Sequence, residues 1–566
     1  MIRFDRHLWL RFHKIAAPYW FGEEKWQARR RLLMLILLLL GQTGFAVLFN
    51  EQTGEFTSAL AAKDTERFWL SIEKSLGILI VGVPVFGFYY YVRDQLALHW
   101  RRWLTRDFLG DYFSDRAYYE LNASADIDNP DQRIAEDINT FTQRSLQFLM
   151  VIFGALLQLA AFAGVLWSIS RELVAFLLVY AVAGTLVTLI VFGKPLITLN
   201  FYQLKREANF RFSLVRIREN AEAIAFYRGE GRESAQVGGY FNEIFANLSK
   251  LIRVQLKLNL FQFGYSFLTV VLPSAIIAER VISGELEVGR AIQAAGAFAA
   301  ILSALTVIID NFDSLSKFAA GIKRLDTFRN FLVASGGVAA SEDRQITCVS
   351  GPDLAVDNLT LRTPNRERTL LRKLSLKISP GHGLLIVGPS GCGKSSLLRA
   401  IAGLWHAGSG RIIGPDAQEM LFLPQRPYMV QGSLRQQLLY PNGHLGRSDD
   451  ELLNVLKQVN LPDLAANFDG LDAEQDWGKV LSVGEQQRVA FARVLLIGPR
   501  YAILDEATSA LDIANEESLY RLLAATSTTL VSVGHRPSIL KYHPQVLELS
   551  GDGDWKLYAA EDYRFA

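Results

Sequence analysis

With 566 residues, a formal net charge of +2 and a pI near 8.3, the chain has room for more than one domain and too little charge excess for a nucleic-acid binder. Two cysteines, Cys348 and Cys392, are too few for a disulfide framework and fit a reduced, cytosolic setting. Half of the residues are hydrophobic, yet every run long enough to span a bilayer falls in roughly the first 310, so a membrane half precedes a soluble half.

Residues 1–31 include FDRHLWLRFHKIAAPYWFGEEKWQARR, where Trp9, Phe12, Trp20 and Trp26 are mixed with basic residues. This composition suits a cytoplasmic helix lying in the membrane interface, or an ordinary anchored terminus. Six apolar segments of 17 to 22 residues follow, at 32–49, 76–92, 148–169, 174–192, 258–278 and 291–309. Six such segments in series predict an all-α membrane domain over 32–332 embedded in a lipid bilayer. Lys and Arg number eight before residue 32, seven between the second and third segments and eleven between the fourth and fifth, with far fewer in the short opposite loops. The positive-inside rule therefore puts the long connections and both termini in the cytoplasm. Those connections, 93–147 and 194–257, read mostly as helix and extend as arms of roughly 35 to 40 Å at 1.5 Å per residue. Within the first, Pro130 is expected to break the helix while Asp128, Asp131 and Glu136 supply charged contacts, as in a docking elbow or a solvated turn. Small and polar residues over 333–352 read as a linker, with a soluble domain over 353–566.

The soluble domain opens on LLIVGPSGCGKSSLLRAIAGL, a short apolar strand, a glycine-rich turn and a helix pattern. This is the context of a P-loop: the loop of Gly388, Pro389, Ser390, Gly391, Cys392, Gly393, Lys394, Ser395 and Ser396 cradles phosphates with its backbone amides, Lys394 reaches the outer ones and Ser395 ligates Mg2+. Cys392 is either a thiol activated by those amides or a small filler. Gln425 follows the strand pattern of LFLPQRPYM and is placed to sense Mg2+ and water. In LSVGEQQRVAFARVL, Ser482 and Glu485 form a capping box, and the same helix start, with Gly484 permitting close approach, is an anion site. PRYAILDEATSALD sets Asp505 and Glu506 at a strand end, one for the metal side and one as the base that positions the attacking water. His535, after the strand TTLVSVGH, is placed to reach the terminal phosphate. The site read from the sequence is thus catalytic Glu506, His535 and Gln425, a metal set of Ser395, Gln425 and Asp505, and ATP with Mg2+ as cofactors.

In order, GPSGCGKSS, LPQ, LSVGE, ILDE, SALD and GH resemble the ATP-binding domain of ABC transporters from about residue 353 to the end. The resemblance implies that Ser482, Gly484 and Glu485 of one subunit close on ATP held by the P-loop of another, so a second copy of the chain is the implied partner. Two residues depart from the usual pattern: Val483 stands where glycine is common, and Thr363 where an aromatic often stacks on adenine. LALHWRRWLTRDFLGDYFSDRAYYEL, DIDNPDQRIAEDI, PYW and ENAEAIAFYRGEGRE resemble the peroxisomal acyl-CoA half-transporters and the bacterial YddA-like and BacA-like proteins. This implies an exporter-type six-helix transmembrane domain followed by an α/β P-loop domain, in a bacterial inner membrane. It also implies ATP-driven transport of a solute, either import of hydrophilic compounds such as peptides or cobalamin, or movement of acyl or lipid-like cargo. An ATP-gated channel or membrane-anchored regulatory ATPase is the alternative of a different class.

Overall fold

The computed structural model describes residues 6–123, 127, 130–337, 346–442 and 446–565. The chain divides into two compact units, 1–339 and 340–566.

The first unit is helical. Its principal helices are α1 (Arg6–Phe21), α2 (Lys25–Ala62), α3 (Thr65–Phe113), α4 (Ile138–Ile169), α5 (Arg171–Val187), α6 (Lys194–Glu219), α7 (Glu230–Ile282), α8 (Val288–Asp310) and α9 (Phe312–Gly337). Among the described residues, Lys25–Ala62, Thr65–Leu121, Pro130–Ile169 and Val288–Val307 are long and apolar enough to cross a membrane, and they overlap four of the expected segments. The segment at 174–192 runs through α5 and a π-helical continuation, Thr188–Gly193, while that at 258–278 lies inside α7. Much of this apolar surface faces outward: Ile80, Val81 and Val83 are 74%, 67% and 65% exposed, an arrangement that needs lipid rather than water around it.

Local sequence sets the helix ends. Lys63, at φ 59°, closes α2 in the left-handed region, and the Asp64 carboxylate accepts from the amide of Arg67 to start α3. Arg67 then donates to Glu55 at 2.7 Å and to Glu287 at 3.0 Å, tying α2, α3 and the loop before α8. Helices α2 and α8 cross closely because small residues meet there: a Cβ on Gly289 would lie 1.8 Å from the Gly54 carbonyl oxygen. The Gly289 amide instead donates to Ser58 Oγ at 3.1 Å.

At the other end of the unit, aromatic packing anchors the amino-terminal helix. Tyr19 is fully buried and stacks on Trp100 at 5.7 Å, while Trp9 remains 68% exposed. Helix α1 thus packs one face against α3 and leaves Trp9 on the other. Pro130 begins a helical turn rather than breaking one, since a first-turn proline has no intrahelical amide to lose. The π-helical turn Arg133–Asp137 leads into α4, where buried Arg133 donates to the Arg324 carbonyl at 2.8 Å and Asp137 pairs with Arg324 at 3.0 Å. Asp128 and Asn129 lie outside the described residues.

The second unit holds two sheets. The smaller has the order β1 (Ile346–Ser350), β5 (Gly408–Gly414), β2 (Leu354–Arg362), β3 (Thr369–Ile378). The larger has the order β12 (Trp555–Ala559), β11 (Gln545–Leu549), β4 (Leu384–Val387), β10 (Thr529–Val533), β9 (Tyr501–Asp505), β6 (Met420–Leu423). A two-residue pair, β7 (Gly432–Ser433) with β8 (Glu474–Gln475), completes the strands. Strands β11, β4, β10, β9 and β6 are parallel, and every residue of β4 and β10 is buried; β4 is an unbroken apolar sequence, while β10 also carries buried Thr529 and Ser532.

The linker expected over 333–352 is shorter than its composition suggests. Helix α9 continues to Gly337, and β1 pairs in parallel with β5 from Ile346. Four of the five β1 residues are exposed, so the strand lacks the alternation that would reveal it.

A buried histidine makes this unit acid-sensitive. His543 Nδ1 donates to the Ile539 carbonyl at 2.9 Å, leaving Nε2 to accept from Ser532 Oγ at 2.8 Å. Burial holds the imidazole pKa down to about 4. The unfolded chain, with an ordinary value of ~6.5, takes up the extra proton first, so this contribution is full above ~6.5 and is lost as pH falls toward 4. Thermal melting across that window should show a decline in the parent protein, and His543→Gln should remove up to about 3 kcal/mol of the pH-dependent part.

Candidate functional site

The site grows from strand register. Ile386 of β4 lies beside Val533 of β10, Val533 beside Asp505 of β9, and Leu504 beside Leu423 of β6. Four parallel strands therefore end together, and the residues that follow them, Gly388, His535, Glu506 and Gln425, emerge along one edge.

After β4 the chain turns through Gly388, at φ 141°, and Gly393, at φ 107°, before helix α10 (Lys394–Ile401). A Cβ on Gly388 would stand 2.4 Å from the Leu549 carbonyl oxygen, so glycine is needed there for space as well as conformation. Lys394 Nζ folds over the loop and donates to the carbonyls of Gly388 at 2.8 Å and Pro389 at 3.0 Å. Cys392 is 1% exposed and packed in the apolar core beneath the loop, so it is the small filler rather than the activated thiol.

Ser395 Oγ donates to Asp505 Oδ1 at 3.2 Å, bringing together two members of the expected metal set. Burial raises the Asp505 pKa above the usual carboxylate range, opposed by the Ser395 hydrogen bond, and a cation beside it would favour the ionised form. Next to it, Gln425 Nε2 donates to Glu506 Oε2 at 3.1 Å. Glu506 sits at φ 48°, a conformation costly for a residue with a Cβ, and its amide donates to the Val533 carbonyl at 3.2 Å. A cavity of about 10 Å³ is bounded by Glu506, Ser509, Gly534 and His535, so Glu506 and His535 border one small space. Hydroxyl, carboxylate and amide oxygens form the hard donor set suited to Mg2+, and the amide-rich glycine loop with Lys394 suits a triphosphate.

Ser482 starts helix α11 (Val483–Ile497) with both halves of the expected capping box: the Ser482 amide donates to Glu485 Oε2 at 2.9 Å and the Glu485 amide to Ser482 Oγ at 3.4 Å. Val483 is 40% exposed at this start and leaves the cap intact. Thr363 lies in the turn from β2 to β3, its Oγ accepting from the Arg368 amide at 3.1 Å.

One network was not legible in the sequence. Glu516, in helix α12 (Ile513–Ala524), is 2% exposed and accepts hydrogen bonds of 2.6 Å from both Thr508 and Ser538, with Arg536 at 3.6 Å. Arg536 also donates to the Leu511 carbonyl at 2.8 Å, so the segment after Glu506 and the turn after His535 are held to each other. An acid beside Glu517 on an amphipathic helix reads as solvent-facing, and no local signal marks Arg536 as its partner.

With this geometry established, comparison with known proteins is decisive. Residues 16–282 match the family ABC transporter transmembrane region 2, and residues 371–509 match the family ABC transporter. An uncharacterised ABC transporter ATP-binding protein of Synechocystis is 45% identical, over 94% of this chain and 82% of its own. The chain belongs to the ABC transporter family. The human lysosomal cobalamin transporter ABCD4 is 33% identical to it over 94% of this chain and 93% of its own. An ATP-bound bacterial Atm1-family ABC exporter matches in fold at a TM-score of 0.75 with 20% identity, covering 94% of this chain and 96% of that one. This ABC half-transporter therefore joins a helical transmembrane domain of exporter fold to an α/β ATP-binding domain, and its ATP hydrolysis is coupled to transport.

Replacing Glu506 with Gln keeps an acceptor for Gln425 but removes the base. ATP binding should persist while steady-state hydrolysis falls by about two orders of magnitude or more, measured by nucleotide binding and phosphate release on the same preparation.

Proposed function

We propose that two copies of this ABC transporter form a homodimer in a bacterial inner membrane, with both termini cytoplasmic, and import a hydrophilic solute of which cobalamin is the leading candidate. Residues 32–332 carry the solute path and residues 353–566 the ATPase. The pairing of Gln425 with Glu506 at 3.1 Å carries the reading of an active hydrolase rather than a degenerate site, because a base held beside the expected metal set is what turnover requires. The similarity to a cobalamin transporter over nearly the full length of both chains supports the cargo.

Lys394 and the amides of the P-loop bind the phosphates, and Ser395, Asp505 and Gln425 would hold Mg2+, which when bound would neutralise charge on the phosphates. Glu506 positions the attacking water and accepts its proton, while His535 donates toward the terminal phosphate. The start of α11 contributes Ser482 and Gly484 to ATP held by the partner subunit, giving two composite sites per dimer.

Two measurements test this. In the dimer, Ser482→Arg should lower ATP turnover at least about tenfold with ATP still bound by each subunit; normal turnover would remove the contact across subunits. Melting is recorded alongside, because Ser482 also caps its own helix at a value of about 1 kcal/mol. In proteoliposomes whose ATP-binding domains face outward, ATP should drive loss of trapped labelled cobalamin beyond the Glu506→Gln control. Equal retention would reject cobalamin import and bring acyl or lipid cargo forward.

A further inference from the structure

Gln487 lies in α11 two residues beyond the capping box and is fully buried. Its Nε2 donates to the Gln425 carbonyl at 3.1 Å and to Ser509 Oγ at 3.3 Å, and its Oε1 accepts from the Ala510 amide at 3.1 Å. The orientation of this amide is forced, since a carbonyl only accepts and a backbone amide only donates. Gln425 and Ala510 are themselves exposed, so a buried side chain is pinning two surface loops.

The same segment is held from two further directions. A Cβ on Gly484 would lie 3.2 Å from the Ala510 carbonyl oxygen, so the start of α11 is seated directly on the chain after Glu506. Arg536, from the turn after His535, donates to the Leu511 carbonyl at 2.8 Å and the Ser509 carbonyl at 3.4 Å. Gln425 in turn uses its side chain to reach Glu506. A continuous hydrogen-bonded path thus runs from Glu506 through Gln425 and Gln487 to Ser509 and Ala510.

We propose that Gln487 is a positioning residue that locks the base-bearing half-site of a protomer to the Ser482–Gly484 half-site it offers its partner, so the two composite ATP sites of the dimer respond as one. The inference rests on the composite-site reading above. Its physical content is that α11 cannot shift against the partner's ATP without moving the Gln425 backbone, and with it the hydrogen bond that orients Glu506. Gln487 touches no reacting atom, so its loss should leave ATP binding intact and affect turnover and the coupling between sites.

The test uses the full-length protein and Gln487→Met, which keeps the side-chain volume and removes all three hydrogen bonds. Its kcat should drop between about tenfold and a hundredfold, as expected when a catalytic group is misplaced without being removed. ATP affinity should stay within about twofold of the parent, and the Hill coefficient for ATP should fall to about 1. Unchanged kcat and Hill coefficient in an active parent background would overturn the inference. A loss of ATP affinity and melting temperature that accounts for the whole fall in rate would also overturn it, leaving only a packing role. A parent protein no more active than Glu506→Gln would overturn the proposed function instead, so the two failures are distinguishable.

Discussion

The common termination of strands β4, β10, β9 and β6 along one edge is the constraint on which the rest of the ATP-binding domain depends. Parallel register sets Ile386, Val533 and Asp505 in one row of neighbouring strands, with Leu423 beside the preceding Leu504. From that row the glycine loop, the Asp505–Glu506 pair, Gln425 and His535 follow within two residues of their strands. A slip of one residue in any strand would turn its side chains to the opposite face and disperse the site. The fully buried β4 and β10 resist such a slip because both faces are packed.

Strain and hydrogen bonding add what register cannot supply. Glu506 occupies a left-handed conformation because its amide is drawn to the Val533 carbonyl and its carboxylate to Gln425. The chain beyond it is then fastened by Gln487 on one side and by Arg536 with buried Glu516 on the other. Buried Gln487 and Glu516 thus act to hold loops, each satisfied by several partners, so their burial is tolerated.

The membrane domain obeys a different solvent. Apolar side chains on its outer surface are compatible with lipid, and cohesion comes from close helix approach, as where Gly289 meets Gly54, and from ion pairs at the ends, as where Arg67 joins Glu55 and Glu287. At its opposite end Tyr19, Trp100 and Phe141 form an aromatic core that the basic, tryptophan-rich amino terminus only partly advertised. The elbow at Pro130 likewise differs from its sequence reading, since a proline at a first helical turn starts a helix as readily as it ends one.

Sequence alone determined the division into membrane and soluble halves, the helical segments and the glycine-rich loop between a strand and a helix, because bilayer length, charge bias and the P-loop spacing are local patterns. It also determined the cap formed by Ser482 and Glu485, whose partners are three residues apart. Strand β1 escaped it because a mostly exposed strand has no periodicity and is defined only by pairing with β5, some 60 residues away. Gln487, Glu516 and Arg536 escaped it for a related reason: each is an ordinary polar residue whose importance lies in groups brought to it from distant strands and turns. Chemical identity at the site is written in short motifs, whereas orientation and coupling depend on long-range hydrogen bonds that exist only once the sheet has assembled.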